Sequence, residues 1–167
     1  MLASALAACL ARDLRSLRGE IEAYPDERQI WKIVPGITNS AGTLTLHLAG
    51  NLQHYIGMHL GGSSYVRDRP AEFARRDVPR AELLKEIAAA EHAIVALGKL
   101  DDSSLKNDFP EAVGGAILET GELMVHMTVH FTFHLGQVGY HRRMVTGQNT
   151  VVPAMRPAEL ATARLVK

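Results

Sequence analysis

Residues 126–143, "HMTVHFTFHLGQVGYHRR", decide how this chain is read. His126, His130 and His134 recur every fourth residue, and His141 follows one heptad after the last. A helix turns about 100° per residue, so positions three or four apart are neighbours. With His130 at zero, His126 and His134 fall about 40° to either side, while Leu123, Gln137 and His141 lie within about 20°. Thr128, Thr132, Gly136, Gly139 and Arg143 take the opposite side. The histidine stripe therefore belongs on or beside an inward face. A buried imidazole needs partners for both nitrogens, and several on one stripe are hard to serve with ordinary hydrogen bonds. Neutral imidazole binds zinc, nickel, copper or iron well, so the stripe predicts a divalent transition-metal site.

Helix geometry limits the ligand set. His126 and His134 are separated by about 12 Å of rise and cannot share one ion, since metal–nitrogen bonds are about 2 Å. The pair is His126 with His130, or His130 with His134, and a facing helix must supply more. His47 leads the candidates, on a stripe with Asn51, His54 and Met58. His54 lies two turns on, about 10.5 Å in rise, so only one of the two joins a given ion. Spacing alone does not choose. The remaining histidines have plainer readings: His92 faces solvent opposite Leu83, and His59 and His141 are capping or surface groups near helix ends. The repeated Glu-x-x-His motifs of di-iron bundles are missing, as is the glutamate that zinc proteases carry beside their first histidine.

Outward from this stretch, three more helices follow the same rules. Leu6, Leu10, Leu14, Leu17, Ile21 and Tyr24 make an apolar stripe on a helix from about Leu2 to Tyr24, stopped by Pro25. Cys9 falls on that side as a small core residue; as the only cysteine it forms no internal disulfide, which fits a reducing, cytoplasmic setting. Asn39 or Ser40 caps a second helix, "AGTLTLHLAGNLQHYIGMHL", that ends at Gly61 and Gly62. A long polar connection, "SSYVRDRPAEFARRDVP", leads to a third helix from Arg80 to Leu97, with Leu83, Leu84, Ile87, Ala90, Ile94 and Leu97 inward. In that connection Arg67, Asp68, Arg69 and Glu72 read as a solvated surface with local ion pairs, ahead of an anion-recognition loop. The fourth helix runs from Glu119 or Thr120 to Thr146. The tail 147–167 carries one short helix after Pro157 and no motif.

The expected fold is thus a single all-α domain spanning 1–167, a four-helix bundle with a long connection between helices two and three. Its 167 residues suffice for a real core, and 47% apolar with 22% charged residues is ordinary globular composition. Formal net charge is zero, unlike the basic footprint of a nucleic-acid binder. No run reaches the roughly 18 apolar residues of a membrane span. The opening "MLASALAACLARDL" lacks a positive start and is cut by Arg12 and Asp13, so it reads as helix and not as a lipoprotein signal.

Two blocks, "HLAGNLQHYIGMHLGGSSYVRDRPAEF" (47–73) and "HFTFHLGQVGYHRRM" (130–144), together resemble the DinB/YfiT-like superfamily of metal-binding four-helix bundles. The first looks like that family's second helix and following loop, the second like its closing His-x-x-x-His helix with Gly-Gln just after. The resemblance covers about Leu44 to Met144. It implies a metal triad of His47, His130 and His134, leaving His126 as an additional histidine and His54 outside the ligand set. Gln137, on the stripe of His130, is placed to orient a ligand or bound water.

Three histidines leave coordination positions open, so the resemblance implies a metal-dependent enzyme of hydrolase or thiol S-transferase type. It would take a small-molecule substrate or low-molecular-weight thiol, with zinc or nickel ahead of iron or copper. Glu122 and His126 are the nearest candidates for a general base. The alternative is a non-catalytic metal-binding or stress-response bundle. Thr128, Thr132, Gly136 and Gly139 form a smooth face that admits either a helix of the same chain or, as the resemblance implies, a second copy in a homodimer.

Overall fold

The computed structural model describes residues 2–152, 156–160, 162–164 and 166. It is all-helical, with no strand among the described residues; only isolated bridges join Asp108 to Glu119 and Val113 to Ala116. The helices are α1 (Leu2–Glu22), α2 (Ala41–Leu52), α3 (Arg69–Ala74), α4 (Arg80–Ala93), α5 (Val95–Gly98) and α6 (Thr120–Thr146). α2 runs on into a π-helical turn, Gln53–Met58.

Local chemistry sets the ends of these elements. The Ser40 hydroxyl accepts the Thr43 N–H at 3.1 Å and so caps α2. At the far end of α6, Gly147 adopts φ 71°, and its N–H closes on the Arg143 carbonyl at 3.0 Å. The polar connection after α2 is not all loop. Asp68 caps α3 by accepting the Ala71 N–H at 3.0 Å, and Pro70 fits the first turn, where no N–H is needed. The third predicted helix is two pieces, α4 and α5, parted at Ile94. After Pro157 only a short 3-10 turn forms, Pro157–Glu159; residues 161, 165 and 167 beyond it lie outside the described residues.

Four long helices close a ring: α1 packs on α4 and α6, and α2 packs on the same two from the opposite corner. Leu6, Leu10, Leu14, Leu17 and Ile21 from α1, with Tyr24 just beyond its end, join Leu83, Ile87, Ala90, Ile94 and Leu97 inside it, all buried. Each leucine or isoleucine among them contributes about 1.5–3 kcal/mol by leaving water. Leu84 and Cys9 are only half-buried, at the margin of their stripes. Every residue of α2 is buried, which its lack of charged side chains permits. Trp31 covers one side of it, seated on Gly42, where a Cβ would stand 2.6 Å from the indole.

The smooth face of α6 is where α1 lies. The Thr132 hydroxyl donates to Asp13 Oδ2 at 2.8 Å, and a Cβ on Gly139 would sit 3.2 Å from Glu20 Oε1. His141 is also not at the surface. It is buried, donates from Nε2 to the Lys32 carbonyl at 2.7 Å and accepts the Tyr24 hydroxyl on Nδ1 at 2.7 Å. Burial holds it below the ordinary imidazole range, and the Lys32 bond offsets only part of this. No described helix is long and apolar enough to cross a membrane.

Candidate metal centre

α2 and α6 pack side by side and bring His47 to His130 and His134. One ring nitrogen from each lies within 4.8 Å of the other two. His47 Nε2 and His130 Nε2 are 3.4 Å apart. Tetrahedral coordination with bonds of about 2.0–2.1 Å spaces donors by about 3.3–3.4 Å, so this pair already has the separation an ion requires. The His134 ring stands edge-on to both, with centroids 4.5 Å from His130 and 5.7 Å from His47.

The outer nitrogens decide which lone pairs point inward. A carboxylate only accepts, so His47 Nδ1–H donates to Glu72 Oε2, at 2.9 Å, and leaves Nε2 with its lone pair facing His130. Likewise His134 Nδ1–H donates to the Gln137 amide oxygen at 2.6 Å. Such outer bonds fix the tautomer and raise the basicity of a metal-ligating imidazole. Asn51 adds an amide N–H 3.3 Å from His47 Nε2. Arg67 in turn clamps Glu72 through Nε to Oε1 at 2.7 Å and Nη2 to Oε2 at 2.9 Å.

Glu72 is 6% exposed and His47 7%. Burial works against the Glu72 charge, but the bonds from Arg67 and His47 outweigh it and hold the carboxyl below its usual range. Gly50 makes room for this arrangement, because a Cβ there would meet Glu72 Oε1 at 2.2 Å. His130 is pushed down to about 4, first by burial and then by the neighbouring His134, His47, His126 and Arg67 charges. It is therefore neutral, the ligating form, through the physiological range.

The reading of the 65–73 connection as a solvated surface holds for Asp68 and Arg69, which are exposed, and fails for Glu72, which α3 turns inward with Arg67 paired to it. Gln137 stands where the sequence placed it. His126 is exposed, its ring 6.0 Å from that of His130 and outside the converging set. Glu122 is exposed and opens onto a surface hollow with Leu105 and Val125, away from the histidines. A cavity of about 310 Å³ reaches His134 and Gln137, walled by Ile37, Leu44, Tyr140 and Met144. A larger groove of about 740 Å³ between the end of α2 and α5 touches neither His47, His130 nor His134.

A second convergence was not legible in the sequence. His54 and His59 both donate from Nε2 to Glu111 Oε2, at 2.7 and 2.6 Å. His59 is the C-cap of the π turn, as its place near a helix end suggested, but its ring is partly buried and not at the surface. By donor type and spacing, either cluster can hold a metal ion. No family model matches this chain, and no curated protein matches it.

Proposed function

We propose that the protein is a metal-dependent enzyme of the DinB/YfiT-like kind, holding one divalent transition metal through His47, His130 and His134. One observation carries this reading: three imidazoles converge while the outer nitrogens of His47 and His134 are already engaged by Glu72 and Gln137. Those outer bonds place the proton of each ring on Nδ1 and leave its other nitrogen as a lone pair for an ion. The all-nitrogen donor set suits zinc or nickel, with iron(II) or copper next. Such an ion, when bound, supplies Lewis acidity to a coordinated water, carbonyl or thiol.

The chain's own groups do the rest. The cavity beside His134 is about the smallest size usual for a small-molecule site, and its apolar walls with Gln137 in the lining favour a compact substrate or thiol. Hydrolysis or thiol transfer is the chemistry such a site supports. The outer face of α6 carries exposed Val125, Val129, Phe133, Tyr140 and Met144 along one line, which supports a homodimer. Light scattering of the purified protein tests that association.

Elemental analysis of untagged, chelator-free protein is the direct test of the centre. Stoichiometric zinc or nickel is expected, diminished by one equivalent in both His47→Ala and His130→Ala. Unchanged metal in both variants would sink the reading. Metal-loaded protein is then assayed against esters, amides, epoxides and thiol adducts. Metal binding with no turnover across that panel would leave a binding bundle and remove the enzyme.

A further inference from the structure

The π-helical turn at the end of α2 changes which side chains share a face. An α-helix sets residues five apart about 140° from each other, so His54 and His59 would face different ways. Here the His59 N–H closes on the His54 carbonyl at 3.2 Å, a five-residue hydrogen bond, and the wider turn swings both rings to one side. Their centroids are 4.9 Å apart, and Phe109 walls the pair at 5.0 Å from His59. The connection that carries Phe109 also brings Glu111, whose single oxygen receives both imidazoles.

We propose that His54, His59 and Glu111 form a second, separate site for a zinc-class divalent ion, which fastens the 107–119 connection to the end of α2.

Three observations favour an ion over a plain hydrogen-bonded latch. First, one donor atom from each of His54, His59 and Glu111 lies within 4.8 Å of the other two, the convergence that a common ion requires. Two imidazoles and one carboxylate are, second, a donor set of catalytic-type zinc sites, with a fourth position left for solvent. Third, His54 lines an opening of about 420 Å³ with Met58 and Arg67, so an ion has a route in. Each imidazole Nε2 now stands 2.6–2.7 Å from the Glu111 oxygen. A tetrahedral ion needs about 3.3 Å, a shift of roughly 0.6–0.7 Å that Glu111, on a surface connection, can make.

The site is independent of the first. His47 and His54 are separated by about 10 Å of helix rise, far beyond the roughly 3.5–4 Å of a two-metal centre. Neither proposal needs the other.

The test loads untagged protein with zinc sulfate, removes excess by gel filtration and counts retained zinc. Wild type is expected to hold two equivalents, His130→Ala one, Glu111→Gln one and the double variant none. Glutamine keeps an acceptor for the two imidazoles while removing the anionic ligand, and circular dichroism checks the helices. Should Glu111→Gln fail to fold, His59→Gln takes its place. Equal zinc in wild type and Glu111→Gln, or none in His130→Ala, overturns the second site and leaves the first standing. One equivalent lost only with Glu111→Gln does the reverse. Zinc should also slow tryptic cleavage after Lys106 in His130→Ala and not in the double variant. Unchanged cleavage with zinc bound would overturn the fastening.

Discussion

Glu72 shows how much one side chain does here. It accepts His47 Nδ1–H, is clamped by Arg67 and sits against Gly50, where no larger residue fits. Glu72→Gln keeps the hydrogen bond and removes the charge, and is expected to weaken zinc binding about 10–100-fold in a chelator competition. Gly50→Ala should act in the same direction by pushing the carboxylate away from His47. His130 supplies a pH prediction. Its folded-state pKa of about 4 lies below the 6.5 of a free imidazole. Between those values the unfolded chain takes up a proton that the folded one refuses. Stability of chelator-treated protein is therefore full above pH 6.5, falls as pH drops and loses this dependence below about 4. His141 adds in the same sense. Urea midpoints at pH 7, 5.5 and 4.5 check this, and His130→Asn should flatten the slope.

The helices show which parts of the molecule a sequence can announce. The three–four apolar spacing of α1, the Ser40 cap and the Gly147 stop are signals within a few residues, and each was legible. So was the expectation of His47 opposite His130 and His134, once the two quoted blocks were taken together. The placement of Glu72 was not, because α3 is six residues long and its direction depends on contacts with α2. The pairing of His54 with His59 was hidden for a different reason. A 100° wheel assumes uniform turns, and the π turn breaks that assumption. Gly57 is the residue that lets the turn approach α4: a Cβ would meet Ala93 Cβ at 3.0 Å. Gly57→Ala is expected to cost about 1–3 kcal/mol in urea denaturation through overpacking. It should also weaken whatever His54 and His59 hold.

Across the whole molecule, α1 joins α6 through charges as well as apolar surface. Arg142 is fully buried, pairs with Glu20 and donates to the Thr150 carbonyl at 2.7 Å. Breaking a buried pair by removing one member leaves the other charge stranded, so Glu20→Ala should destabilise the protein by about 3–5 kcal/mol in chemical denaturation. Replacing both members with apolar residues of matched volume should cost much less. Neither histidine cluster takes a donor from α1 or α4; every one comes from α2, its π turn and the His59 cap, α6 or the 107–119 connection. Two of the four corners thus supply packing and no donor to either cluster. A library randomised over the apolar positions of α1 and α4 and sorted for folding alone should still retain its ions, while one randomised over α2 should lose them before it loses its helices.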